Sequence, residues 1–177
     1  MDGDNLTRTY RAEIVVRSLA PHGINERQRA IIERVESFEE RGVLEAVEIE
    51  VWGQEIRTDP DERTAAHARY DALEAWAESR EYTLAPGFAR RQRASIAETG
   101  LEEVISFPLI CLVLYAVDEG SNDDTVRAVF PCSDEEQTYT IVDGIEALSH
   151  RAALDELRSE TDAETETTEQ RPLIKSL

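Results

Sequence analysis

The sequence predicts an α/β fold, a mixed sheet with helices on both faces. Three observations predict it. Strand-like and helix-like periods alternate through the first half of the chain. The second half holds a continuous apolar run, SFPLICLVLYAV. A polar turn, a second apolar stretch and a short amphipathic helix follow that run.

Thr9 to Val16 (TYRAEIVV) is β-branched and aromatic and reads as a strand. Pro21 and Gly23 then break the chain in the loop RSLAPHG. Asn25 stands as an N-cap with Gln28 three residues on. Ile24, Ile31, Val35 and Phe38 recur at helical spacing, and Gly42 suits the position just past a helix end. These signals predict a helix over 25–41. In 43–53, Val47, Ile49 and Val51 alternate with Glu48 and Glu50, which predicts a half-buried strand weakened or ended at Gly53. Asp59-Pro60-Asp61-Glu62 has the order of a helix start: a cap, a proline, then acids at the positive end of the dipole. With Ala66, Tyr70, Leu73 and Ala77 on one stripe and Trp76 beside it, the helix is expected over 60–81.

Residues 84–97 (LAPGFARRQRASIA) carry three arginines and no acid, and are expected to form an irregular strand. Glu103 to Val117 contains the best central strand, with Pro108 at its start because proline cannot donate within a ladder. DEGSNDD (118–124) turns the chain, and Val126 to Pro131 returns as a hairpin arm. Thr140 caps a last helix whose inner face is Ile145, Leu148 and Ala152. From Ser159 the chain is acidic and of low complexity. The expected organisation is a disordered start over 1–8, one domain over 9–158, and a disordered tail over 159–177.

This order, strand–helix–strand–helix–hairpin–helix, matches a thioredoxin-like arrangement with a three-layer mixed sheet. A ferredoxin-like α+β sandwich is the alternative. A thioredoxin-like fold places a cis-proline before the hairpin, where Pro108 stands, and Phe107 would then face the site. The nucleophilic cysteine of such enzymes belongs in the loop after the first strand. Here that loop reads Ala20-Pro21-His22-Gly23, without cysteine, so dithiol exchange by that route is excluded. A redox-inactive scaffold is expected to bind something instead.

Charge bounds the setting. The 177 residues include 38 acids against 19 bases, a net charge of −19, and Lys175 is the only lysine. Excess carboxylates hold hydration water when multimolar salt screens charge over a few ångströms, so this composition points to a halophile and a cytoplasmic protein. At low ionic strength the self-repulsion is unscreened, and loss of structure is expected. The same charge disfavours nucleic-acid binding without excluding it. No apolar stretch is long enough to span a membrane, and the polar N-terminus is not a secretory signal.

Few motifs carry chemistry. His22, His67 and His150 lack partners at metal-ligand spacing, and no phosphate loop or nucleophile elbow exists, so no metal, cofactor or catalytic residue is expected. Cys111 lies in the apolar run and reads as core. Cys132 follows a strand end and reads as an exposed thiol, a one-cysteine redox candidate whose acidic neighbours raise its pKa. Arg90, Arg91 and Arg93 are the one positive island. They suit a phosphate or an acidic partner, or else pair with nearby carboxylates.

The stretches VRSLAPHGINERQRAIIERVESFEERGVLEAVEIEVWG (16–53), FPLICLVLY (107–115) and AVFPCSDEEQTYTIVDGIEAL (128–148) resemble a family of small acidic haloarchaeal proteins, described as helix-turn-helix-domain proteins. The resemblance implies a DNA-binding regulator and supplies no catalytic residues. The expected function is a non-enzymatic regulatory binding protein on the redox-inactive thioredoxin-like scaffold, with a protein partner or DNA. The alternatives are a DNA-binding transcriptional regulator of helix-turn-helix type, with helix 25–41 and the arginine cluster on DNA, and a one-cysteine redox protein using Cys132. The candidate binding residues are His22, Phe107, Pro108, Arg90, Arg91 and Arg93.

Overall fold

The computed structural model describes residues 9–18, 26–58, 61, 63–94, 100–117 and 125–150. The expectations for 1–8, the Ala20–Gly23 loop with His22, the 118–124 turn, Ala152 and the 159–177 tail lie outside the described residues.

Strand β1 (Thr9–Val16) is the hub of the main sheet. Its β-branched residues fit a strand buried on both faces, and it pairs parallel to β2 (Ala46–Val51) and antiparallel to β6 (Ile110–Val117). Strand β7 (Thr125–Phe130) closes the order β2-β1-β6-β7, antiparallel to β6. Helix α1 (Glu26–Glu40) is the crossover between β1 and β2, a connection long enough for parallel strands. It ends in a Schellman motif: the amides of Gly42 and Val43 donate to the carbonyls of Glu39 and Phe38, both at 2.9 Å. Gly42 takes the left-handed φ of +70° that this motif requires. That turn uses residues 42–45, so β2 begins later than the alternation alone predicts.

Helix α2 (Ala65–Ser79) also starts later than expected. The cap is Thr64, not Asp59, and His67 accepts from the Thr64 amide at 3.0 Å through Nδ1. The reason is upstream. The amide and hydroxyl of Thr58 donate to the Glu103 carbonyl at 3.0 and 2.9 Å, which holds residue 58 to a strand.

That strand belongs to a second sheet the sequence reading missed. Strands β3 (Glu55–Arg57), β4 (Ala89–Ala94) and β5 (Leu101–Ser106) form the order β3-β5-β4, all antiparallel. The expected single segment 103–117 is thus two strands of different sheets, parted at Phe107–Leu109. Pro108 offers no amide there, while the Phe107 amide donates to the Gln54 carbonyl at 2.9 Å. The peptide before Pro108 is not the expected cis bond; among the described residues the cis bonds precede Pro86 and Pro131. Arg17 donates to the Phe107 carbonyl through Nε at 2.8 Å and through Nη2, so this corner is held by a guanidinium on extended backbone.

A small pair, β8 (Cys132–Ser133) with β9 (Thr138–Tyr139), precedes α3 (Ile141–Ser149). Thr140 caps α3 as expected. Gly144 lets α3 settle on Phe130, since a Cβ there would lie 2.7 Å from the ring.

The helices cover both faces of the main sheet, which makes the fold α/β and not a one-sided α+β sandwich. Helices α1 and α3 close a core of Ile14, Val16, Val35, Phe38, Leu112 and Leu114. Helix α2 and the second sheet close the other, with Leu73, Trp76, Phe88, Ile105, Phe107 and Val113.

Candidate functional site

The arginine island lies on β4, whose residues from Arg90 to Ala94 are exposed. Among the described residues only β5 pairs with this strand, and none of them pairs with its other edge. The three side chains differ. Arg90 Nη2 bonds Glu74 of α2 at 2.8 Å, and Arg93 Nη1 bonds Glu55 of β3 at 2.6 Å. Arg57 adds a looser pair with Glu102 at 3.5 Å. Arg91 has no partner among the described residues. The island is therefore part anchored network and part free cation. Surface pairs of this kind are each worth about 0–1 kcal/mol, so a stronger anion can replace the carboxylates.

Arg90 also borders a groove of about 490 Å³ between α2 and residues 82–90. Helix periodicity places Tyr70, Glu74, Ala77 and Glu78 along it on one side. The Tyr70 hydroxyl donates to Glu74 at 2.9 Å. Burial, then the Glu74 carboxylate, push the Tyr70 phenol up to about 12. Sequence reading did not find this groove. Glu74 is one acid among 38, and nothing local distinguishes it.

Phe107 and Pro108 do not join Arg90 at a single surface. Phe107 is buried, not facing a site, because its ring completes an aromatic cluster with Trp52, Phe88 and Tyr70. Pro108 is half-buried at the corner held by Arg17. His22 lies outside the described residues. Cys132 is buried, not exposed at a loop, because β8 turns it under the Tyr82 and Tyr139 side. Burial first, then Asp134 and Asp143, push its thiol up to about 12, so almost none is thiolate near neutrality. Among the described residues no group of three His, Cys, Asp or Glu is placed to hold a metal ion. No helix of the described residues is long and apolar enough to cross a membrane.

A buried charge sits beneath α2. Glu13 of β1 is 4 % exposed, accepts from Arg69 Nη1 at 2.7 Å and from the Tyr115 hydroxyl at 2.8 Å. Arg69 also reaches Glu50 at 3.4 Å. This group ties α2 to three strands.

No two helices are consecutive among the described residues: α1 and α2 are separated by β2 and β3, and lie on opposite faces of the sheet. No characterised protein and no solved structure matches the chain. A family model described as a helix-turn-helix domain does match, and it runs over residues 4–153. That span takes in every strand and helix described above, and on it the chain belongs to the helix-turn-helix domain family.

Proposed function

We propose that this protein is a non-enzymatic transcriptional regulator of a salt-rich cytoplasm, and that it meets DNA phosphates through the arginine-bearing edge of β4. Membership of the helix-turn-helix domain family carries this reading. The exposed strand with Arg90, Arg91 and Arg93 is the surface that suits it. A guanidinium pairs with phosphate in two-pronged geometry, and the carboxylates now on Arg90 and Arg93 are cheap to exchange. The excess of acids and the single lysine support the salt-rich setting.

The test is capture of sheared genomic DNA from the source organism by the full chain in multimolar KCl, read by sequencing. Discrete enriched fragments are expected. Replacing Arg90, Arg91 and Arg93 together by Ala should lower the yield by about tenfold or more. No enrichment above the bare support would overturn the reading.

A second reading has its own observation. The order β2-β1-β6-β7, with β6 antiparallel to the other three and helices on both faces, supports a thioredoxin-like scaffold. Its β1–α1 loop lacks cysteine, so this scaffold would regulate by binding a protein. It predicts that DNA is absent from the capture and that one protein co-purifies in stoichiometric amount.

A further inference from the structure

We propose that the groove between α2 and residues 82–90 is a small-molecule site for an organic monocation with an apolar body, anchored by Glu78 and Tyr82. The volume of about 490 Å³ falls within the range of small-ligand pockets. The lining has two acids, Glu74 and Glu78, against one base, Arg90, so it carries one net negative charge.

The two carboxylates are not equivalent. Glu74 is engaged twice, by the Tyr70 hydroxyl and by Arg90. Glu78, one helical turn further, has no side-chain partner among the described residues. Arg90 is neutralised by Glu74, so the unpaired carboxylate of the lining is Glu78; Arg80 and Asp134, which also act on Tyr82, oppose one another. Tyr82 lines that groove too. Its ring is stacked on Trp76 at 5.6 Å with planes 12° apart, and its hydroxyl has no hydrogen-bond partner among the described residues. A fixed aromatic ring near a free carboxylate is the pairing that attracts an organic cation. Between the ends, the floor is apolar: Leu84 and Phe88 are buried and Ala77 leaves room. An apolar floor with one unsatisfied anion at its edge fits an alkyl or aryl amine. An organic anion would meet two carboxylates and a guanidinium already paired.

This inference stands apart from the choice between DNA and protein partners, and gives the regulator a place to sense a metabolite-sized amine. The test is calorimetric titration of the full chain with 2-phenylethylamine, 2-phenylethanol and phenylacetate. It is run at the lowest KCl concentration that retains a native circular dichroism spectrum. Saturable binding of the amine is expected, about tenfold or more tighter than the alcohol, with Trp76 fluorescence changing in step. Glu78→Gln, an exposed substitution, should remove the preference for amine over alcohol while the spectrum stays native. Equal affinity of amine and alcohol, preference for phenylacetate, no saturation by about 10 mM amine, or an unchanged preference in Glu78→Gln would each overturn the proposal.

Discussion

Under α1 and α3, strand β1 presents Ala12, Ile14 and Val16; under α2, the same strand presents Arg11, Glu13 and Val15. The first face is closed by aliphatic groups with Tyr10, Phe38 and Phe130. The second mixes an aromatic cluster, two buried thiols and a buried carboxylate with two donors. Apolar contact has no direction, so it holds α1 and α3 down, and the directional contact on this side is the Gln28 side-chain amide donating to the Leu109 carbonyl at 3.2 Å. A buried carboxylate tolerates one arrangement of partners, since leaving it unpaired is costly. Glu13, Arg69 and Tyr115 therefore set where α2 sits. Both the arginine strand and the groove border α2, so the polar face positions the candidate sites and the apolar face supplies stability.

Several changes break or sharpen that contrast. The largest effect is expected from Phe38→Ala, which empties a fully buried position. It should cost about 3–5 kcal/mol in urea unfolding at fixed KCl. Arg69→Ala comes next. It leaves Glu13 buried with only Tyr115, and the half-exposed position of Arg69 limits the loss to about 2 kcal/mol. Glu13→Gln with Arg69→Met should recover at least about half of that loss, because no charge is then stranded. A double variant as unstable as Arg69→Ala would show that packing, not charge, is what Arg69 supplies.

Alkali should separate the two faces. Tyr70 and Cys132 both lie on the α2 face, and burial raises both from their ordinary 10.0 and 9.0 to about 12. A raised acid stabilises the fold while it stays protonated. That contribution is full below the unfolded values and disappears as pH climbs towards 12. The fluorescence of Trp52 and Trp76, both on this face, should therefore change at lower pH than the far-ultraviolet circular dichroism. Coincident transitions would count against a distinct polar face. Native Cys132 should also resist alkylation at pH 8, and rapid labelling there would restore the redox reading. The smallest effect is expected from Arg93→Ala, below about 1 kcal/mol, because its pair with Glu55 is exposed.

The helices α1 and α3 were legible because their signals are local. Phe38 and Val35 recur at helical spacing, Gly42 supplies the left-handed turn, and Thr140 supplies a cap. The start of α2 was misjudged because Asp59-Pro60 has the right chemistry, yet Thr58 is held by Glu103, 45 residues away. Pro108 marked a strand start but not a cis bond, since Arg17 and Gln54 hold that corner. The arginine island was visible as composition. Which arginine is free was not, because Glu74 and Glu55 reach it from other elements.

By itself, then, the sequence determined the charge, the order of the main elements and the absence of a dithiol in the first loop. These depend on counts, caps and periods within a few residues of one another. Only the tertiary structure decided that 101–106 and 110–117 serve different sheets, that Cys132 is buried, and that Glu78 and Tyr82 border one groove. Those outcomes turn on contacts between distant segments. A short apolar run reads the same in either sheet, and a lone carboxylate reads the same whether or not a cation comes to rest on it.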